Sequence, residues 1–284
     1  MITKTNRISF QGDYGANSDM ACRDMFPDME PLPCQTFEDA FLAVENGEAD
    51  LAMIPIENTI AGRVADIHHL LPESRLHIIG EYFMPIRFQL MVLPGVSHDE
   101  IRTVHSHIHA LGQCRKIVRA NGWKPVVAGD TAGAAKLVAE MGDRSMAALA
   151  PRLAADLYKL EIVAENVEDT ENNVTRFVVL SREPKNIKRQ ADKDIIVTTF
   201  VFNVRNIPAA LYKALGGFAT NSINMTKLES YQLGGKFIAT QFYADIEGHP
   251  DDAHVRQALD ELRYFSEKVR ILGSYPAHPM RLVL

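Results

Sequence analysis

The sequence predicts an α/β protein of two lobes followed by a smaller βαββαβ unit, and three observations carry that prediction. Short apolar runs of strand length alternate with stretches whose apolar residues recur at helical spacing, the rhythm of a parallel sheet flanked by helices. The rhythm pauses at a long strand-like run, Met84 to Leu93, and then restarts, which divides the first part of the chain into two lobes with a crevice between them. Beyond Pro184 to Lys193, a charged, proline-bearing linker without apolar periodicity, six elements follow in the order strand, helix, strand, strand, helix, strand. That order is the ferredoxin-like arrangement, whose sheet edges and free strand face invite pairing with another copy.

In chain order, the strand around Arg7 to Phe10 runs into Gln11-Gly12 through Asn17-Ser18, a glycine-bearing turn ahead of a helix over Asp19 to Met25, and such a turn offers backbone N–H groups to an anion. Thr36 to Asp39 has the form of a capping box. Phe37, Ala40, Phe41 and Val44 then fall on one helical face that ends near Asn46-Gly47. Leu51 to Ile54 is a buried strand stopping at Pro55, so Glu57, Asn58 and Thr59 bunch at a strand's carboxyl end, where open α/β sheets hold ligands. A helix through Val64 to Leu71 follows. Lobe two restarts with a strand at Thr103 to His105, a helix from Ile108 to Arg119 with Ser106 as its N-cap, a strand at Pro125 to Ala128 and a helix from Ala132 to Met141 opened by Asp130-Thr131. A strand from Ser145 to Leu149 and a helix from Leu153 to Tyr158 behind Pro151 complete it. With Ser106 as cap, Ser106 and Gln113 share one helical face, as do His107 and Cys114. His105, His107 and His109 alternate as metal ligands on a strand can, but the run turns helical and no further ligand completes a shell, so no metal is expected.

Asp169 to Leu180 is the stretch most suggestive of chemistry. A polar run containing Asn172-Asn173 feeds Phe177 to Leu180, a buried strand by composition, and places a hydroxyl, Thr175, and a guanidinium, Arg176, where loop becomes sheet. Adjacent strand residues point to opposite faces, so a ligand shared by both requires Thr175 to lie in the loop. In the last unit, Ile195 to Val204, Ile223 to Tyr231, Phe237 to Ile246 and Val269 to Gly273 are strands, with a hairpin at Leu233-Gly234-Gly235. A helix begins at Pro208 with Leu211, Leu215 and Phe218 inward, and a second carries Val255, Ala258, Leu259 and Leu262.

With 284 residues, 46% apolar, 23% charged and a net charge of −6, the composition is that of an ordinary globular protein and argues against a nucleic-acid or anionic-membrane surface. No apolar run reaches bilayer length and no signal-peptide core follows Met1, so a cytoplasmic location is expected; Cys22, Cys34 and Cys114 fit reduced thiols.

Four segments in order resemble prephenate dehydratases with a C-terminal ACT regulatory domain: Gln11-Gly12 through Asn17-Ser18, Gly47 to Asp50 running to Pro55-Ile56-Glu57-Asn58, Ser106-His107 with Ala110 to Cys114, and Asn173 to Phe177. The resemblance implies a two-lobed, periplasmic-binding-protein-like (type II) catalytic domain over 1–183, with lobe one about 1–80 and 160–183 and lobe two about 81–159. A linker over 184–193 and an ACT domain over 194–284 complete it. It implies dehydration and decarboxylation of prephenate to phenylpyruvate with no cofactor and no metal, by a homodimer or homotetramer. Thr175 is the implied catalytic residue, assisting the leaving hydroxyl, and Arg176 the implied carboxylate partner. A hydroxyl is too weak an acid to donate a full proton unaided, so Glu57, its pKa raised by burial, is the expected proton source facing the same gap. Asn58, Thr59, Ser106, His107, Gln113, Thr131 and Phe177 are the expected substrate-binding residues. L-phenylalanine is the implied effector, at Asn206, Ala209, Ala210, Leu211, Asn224, Glu229 and Ser230. Here the chain departs from the family, with Ala209-Ala210-Leu211 where Gly-Ala-Leu is usual and Tyr231-Gln232 where Arg-Pro is usual; Ile108-His109 likewise stands in place of Pro-Gln. Arogenate dehydratase and a non-catalytic small-molecule sensor are the rival readings.

Overall fold

Two copies of one β-α-β-α-β unit position everything that follows. The computed structural model describes residues 6–185, 187, 195–205, 207–232 and 239–282; most of the linker, the hairpin at Leu233-Gly234-Gly235 and Asn206 lie outside the described residues. Lobe one opens with β1 (Arg7–Gln11), α1 (Asn17–Met25), β2 (Glu30–Cys34), α2 (Phe37–Glu45) and β3 (Leu51–Asn58), and β1 pairs in parallel with both β2 and β3. The capping box forms as the sequence predicts. Thr36 Oγ1 accepts from Asp39 N at 3.0 Å, Asp39 Oδ2 accepts from Thr36 N at 3.2 Å, and Ala40, Phe41 and Val44 are buried.

The strand expected to stop at Ile54 continues to Asn58. Pairing with β1 ends at Ala52, so the N–H that Pro55 lacks costs no bond on that side. Next, β4 (Gly62–Arg63) folds back onto Glu57 and Asn58, which delays the helix expected from Val64 until α3 (Ile67–Glu73). The run from Met84 to Leu93 is two strands, β5 (His77–Pro85) and β6 (Gln89–Val92). Between them the N–H groups leave the ladder: Ile86 donates to the Asn173 carbonyl at 2.7 Å and Phe88 to Glu168 Oε2 at 3.0 Å.

Lobe two repeats the pattern with β7 (Thr103–Ser106), α4 (Ile108–Gln113), α5 (Arg115–Ala120), β8 (Lys124–Val127), α6 (Thr131–Met141), β9 (Met146–Ala150) and α7 (Arg152–Tyr158), with β7 parallel to β8 and β9. The single helix expected over 108–119 breaks at Cys114, whose φ of −121° and ψ of 31° are not helical. A strand that sequence reasoning missed, β10 (Glu161–Ala164), pairs with β6. Its pairing moves residues 161–164 from lobe one into lobe two, and it was missed because four half-exposed residues make no pattern. After it, β11 (Val174–Ser181) returns to the first sheet. The sheet orders are β2-β1-β3-β11-β5 and β10-β6-β9-β7-β8, so β1 to β3 and β7 to β9 each stand in the order two, one, three.

The C-terminal sheet has β12 (Ile196–Val204), α8 (Ala210–Thr220), β13 (Met225–Gln232), β14 (Ala239–Glu247), α9 (Ala253–Phe265) and β15 (Ser266–Pro276), in the antiparallel order β13-β14-β12-β15. Phe200, Phe202, Phe218, Phe242, Val255, Ala258, Leu259 and Leu262 form the core between sheet and helices. The helix expected from Pro208 begins two residues later, after Ala209 in left-handed backbone at φ 60°. Compactness divides the chain otherwise than at the linker: residues 65–81 and 178–284 make one unit, and 1–64 with 82–177 the other. Within the former, Arg281 bridges the fully buried carboxylates of Glu81 (2.6 and 2.9 Å) and Asp245 (3.3 Å), and the Ile78 carbonyl lies so close to Gly273 that no side chain fits there. Among the described residues no helix is long and apolar enough to cross a membrane.

The turn read as an anion site serves another purpose. Gly15 N donates to Asp19 Oδ2 at 2.8 Å, and Gly15, at φ 89°, abuts the start of α7, where a methyl group would sit 2.9 Å from Ala154 Cα. Tyr158 adds a bond from its hydroxyl to the Tyr14 carbonyl at 2.9 Å. A Gly15→Ala variant is expected to lose about 1–3 kcal/mol of stability from left-handed strain and the clash together, read as a lower denaturation midpoint.

Candidate active site

In an open sheet of order two, one, three, the loops leaving the first and third strands diverge to opposite faces and leave a crevice at their carboxyl ends. Glu57 and Asn58 end β3 of lobe one; Ser106 ends β7 of lobe two and His107 follows it. The Gly15–Ala154 approach and the Tyr158–Tyr14 bond join the turn after β1 of lobe one to α7 of lobe two.

A chain of amides joins the two lobes, and its polarity is determined. Asn58 Oδ1 accepts from the backbone N–H groups of Ile60 (2.9 Å) and Ala61 (2.8 Å). Two donors cannot face an NH₂, so Nδ2 points the other way, toward Thr175 Oγ1 at 2.9 Å, Asn173 Oδ1 at 2.7 Å and the Val174 carbonyl at 3.2 Å. Asn173 Oδ1 being an acceptor, its Nδ2 donates to Gln113 Oε1 at 2.7 Å. Both ends of the chain therefore turn donors outward. Gln113 presents its NH₂, and Thr175, whose oxygen accepts from Asn58, keeps its own O–H to give. Sequence reasoning missed Asn173, although the paired asparagines before a strand had marked the place.

Glu57 and Arg176 do not join this group. Residue 175 lies in β11 rather than in the loop, so Thr175 and Arg176 point to opposite faces, as Asn58 and Glu57 do one strand away. Thr175 meets Asn58; Arg176 Nη1 meets Glu57 Oε1 at 2.8 Å, with the guanidinium 2% exposed and 5.9 Å from the Phe83 ring centroid. Against the expectation of one gap shared by Thr175 and Glu57, the two side chains lie on opposite strand faces with different partners, and the guanidinium expected to receive a carboxylate is paired with Glu57.

Other expected residues fall as follows. Thr59 is a clasp: its hydroxyl donates to the Asn172 carbonyl at 2.7 Å and accepts from Val174 N at 3.0 Å. Ser106 belongs to β7 and is fully buried, donating to the Leu149 carbonyl at 2.6 Å, so it is not the N-cap of α4. His107 is that cap, with Nδ1 accepting from His109 N at 3.4 Å. Its pKa lies below the ordinary histidine value, chiefly through burial and secondly through His109, with Asp130 opposing, which favours the neutral ring. The helical faces expected for Ser106 with Gln113 and His107 with Cys114 do not form, because Ser106 ends β7, His107 is the cap outside α4 and Cys114 is its non-helical end. Asp130, not Thr131, caps α6 through Gly133 N at 2.7 Å, leaving Thr131 half-buried at its first position. Phe177 is 1% exposed and belongs to the core, because β11 is covered where Phe177 points.

Of the residues expected to hold an effector, Ala210 is buried, Leu211 packs on the core, and Asn224 and Ser230 are exposed. Glu229 is committed to Lys227 Nζ (2.5 Å) and the Tyr231 hydroxyl (2.7 Å), with His68 at 3.6 Å. Burial opposes ionisation of Glu229, but these hydrogen bonds outweigh it and hold the pKa below the usual carboxylate range.

The family description Prephenate dehydratase matches residues 8–185. A protein of Komagataeibacter europaeus named bifunctional N-acyl-homoserine lactone acylase/prephenate dehydratase is 50% identical over 96% of this chain and 97% of its own length. The chloroplastic arogenate dehydratase/prephenate dehydratase 1 of Arabidopsis thaliana is 39% identical over 97% of this chain and 73% of its own. The solved structure of prephenate dehydratase from Arthrobacter aurescens in complex with L-Phe superposes with a TM-score of 0.87 at 32% identity, covering 96% of this chain and 92% of that one.

Truncating Arg176 to alanine leaves the Glu57 carboxylate without its guanidinium and is expected to cost about 3 kcal/mol, the low end for a buried pair because Glu57 is one-third exposed. The double variant Glu57→Gln, Arg176→Met is expected to recover part of that loss in equilibrium unfolding, since it removes both charges of the pair together.

Proposed function

This chain belongs to the prephenate dehydratase family and is a lyase, and we propose that its reaction is the decarboxylating dehydration of prephenate to phenylpyruvate. One observation carries the assignment of roles: the amide of Asn58, held by two backbone N–H groups, makes Thr175 an acceptor on its inner side and so a donor outward.

Ring aromatisation drives the reaction. The C–C bond to the ring carboxylate breaks and its electron pair enters the ring as CO₂ leaves. The C–O bond at the opposite ring carbon breaks, and the departing hydroxide takes a proton to become water. Thr175 gives its hydrogen bond to that oxygen as negative charge grows on it. Asn58 Nδ2 supports the threonine oxygen as its proton shifts, which lowers the cost of using an alcohol as the donor. Glu57, on the other strand face, takes no part; the proton is drawn ultimately from water. The outward NH₂ of Gln113 is suited to an anionic oxygen, and a substrate with two carboxylates needs such donors. His107 and Thr131 are assigned to the same rim.

By the same proposal the C-terminal β-α-β-β-α-β unit is an ACT domain that takes L-phenylalanine as a feedback effector in a homodimer or homotetramer in the cytoplasm; support comes from its strand order and from the Arthrobacter relative, which is described in complex with L-Phe. Arogenate dehydration is the second reading, favoured by the Arabidopsis relative.

Thr175→Val keeps the shape and removes the donor. It is expected to lower kcat by at least about 100-fold while leaving the melting temperature unchanged, and wild-type turnover in this variant removes Thr175 from the mechanism. Product formation from prephenate, from arogenate and from an N-acyl-homoserine lactone, each with and without added L-phenylalanine, separates the readings.

A further inference from the structure

The sequence between Ile108 and Arg119 has the pattern of one uninterrupted helix, yet the helix breaks at Cys114. In an unbroken helix the N–H groups of Arg115 and Lys116 would bond the carbonyls of Leu111 and Gly112. They bond Asp169 instead: Arg115 N donates to Oδ2 at 3.1 Å and Lys116 N to Oδ1 at 3.0 Å. Lys116 Nζ closes the loop on the Asp169 carbonyl at 3.0 Å. Asp169 thus competes with α4 for the two donors that would otherwise extend it.

The break bears on the site because Gln113 is the last residue before it. Asp169 N donates to the Gln113 carbonyl at 2.6 Å, and Asn173, four residues further on, donates to the Gln113 side chain at 2.7 Å. One short segment therefore holds Gln113 at both its backbone and its amide. Extending α4 through Cys114 would turn the Gln113 backbone away from Asp169 and lift its side chain off Asn173.

We infer that Asp169 is a positioning residue of this enzyme, holding the break between α4 and α5 so that the outward NH₂ of Gln113 meets an anionic oxygen of the substrate. The inference rests on Gln113 being a substrate-binding residue. Asp169 does not touch substrate; it acts through Gln113.

Steady-state kinetics on prephenate with the full chain test this through a double-mutant comparison. Asp169→Ala is expected to raise KM and to lower kcat/KM by about 10–100-fold, the usual size of an outer-layer effect. Asp169→Asn retains one acceptor and is expected to lose only about threefold. In a Gln113→Ala background both substitutions are expected to change kcat/KM by less than about twofold, because the group they aim is gone. Wild-type kinetics in Asp169→Ala, or losses that multiply with those of Gln113→Ala, overturn the inference. Full activity of Gln113→Ala alone overturns the assignment of Gln113 instead, so the two failures are distinguishable. If Asp169→Ala does not fold, the same comparison is read from Asp169→Asn.

Discussion

Two backbone N–H groups in a turn, those of Ile60 and Ala61, hold the oxygen of one amide, and the chemistry of the site depends on that constraint. An asparagine side chain has a donor end and an acceptor end, so fixing one end fixes the other. From Asn58 the direction passes to Asn173 and Gln113 on one side and to Thr175 on the other, with every oxygen facing inward and every remaining hydrogen outward. Under the proposed reaction, a substrate with two carboxylates and a leaving oxygen calls for donors only. The turn after β3 selects that polarity before any ligand arrives.

The same network joins the two lobes, and it has company. The chain crosses between them twice, at 86–88 and at 165–173, and these crossings are bound to each other. Val167 N donates to the Phe88 carbonyl at 2.9 Å, Arg87 pairs with the buried Glu168 carboxylate at 2.6 Å, and Gln89 exchanges bonds with Asn166. With Gly15 against Ala154 on the far side, the relative position of the lobes is specified at several independent points. Precision of this kind is what substrate positioning requires, since small misplacements of reacting groups are costly in rate.

In the other unit, polar groups are buried beside apolar ones under the face of the sheet opposite its helices. His68 stacks on Tyr231 with ring centroids 4.7 Å apart, Thr199 donates to Asp245 at 2.7 Å, and Arg281 ties Asp245 to Glu81. Arg281 gives hydrogen bonds to both buried carboxyl groups, while the Thr199 hydroxyl adds one to Asp245 and the His278 N–H one to Glu81. Through these contacts residues 65–81, which precede half of the first unit in sequence, fold with the C-terminal sheet. A boundary drawn at the linker misses this because long-range pairing leaves no local pattern.

Most elements were legible locally: the capping box at Thr36, the apolar face of α9, the repeat of strand and helix in two lobes and the unit after the linker are set by local spacing and local hydrogen bonding, whereas β10 and the break at Cys114 are not. The sequence by itself also marked Asn58, Gln113 and Thr175. Only the tertiary structure decided which partners those side chains take. Whether β11 begins at Val174 or at Phe177 is settled by its neighbours in the sheet, and that shift of three residues sends Arg176 to Glu57 and Thr175 to Asn58. The break in the helix at Cys114 is likewise imposed from more than 50 residues away, by Asp169. Periodicity records which face of an element is apolar; the pairing of polar groups across distant segments depends on register and on competition for donors, and neither is written in a local pattern.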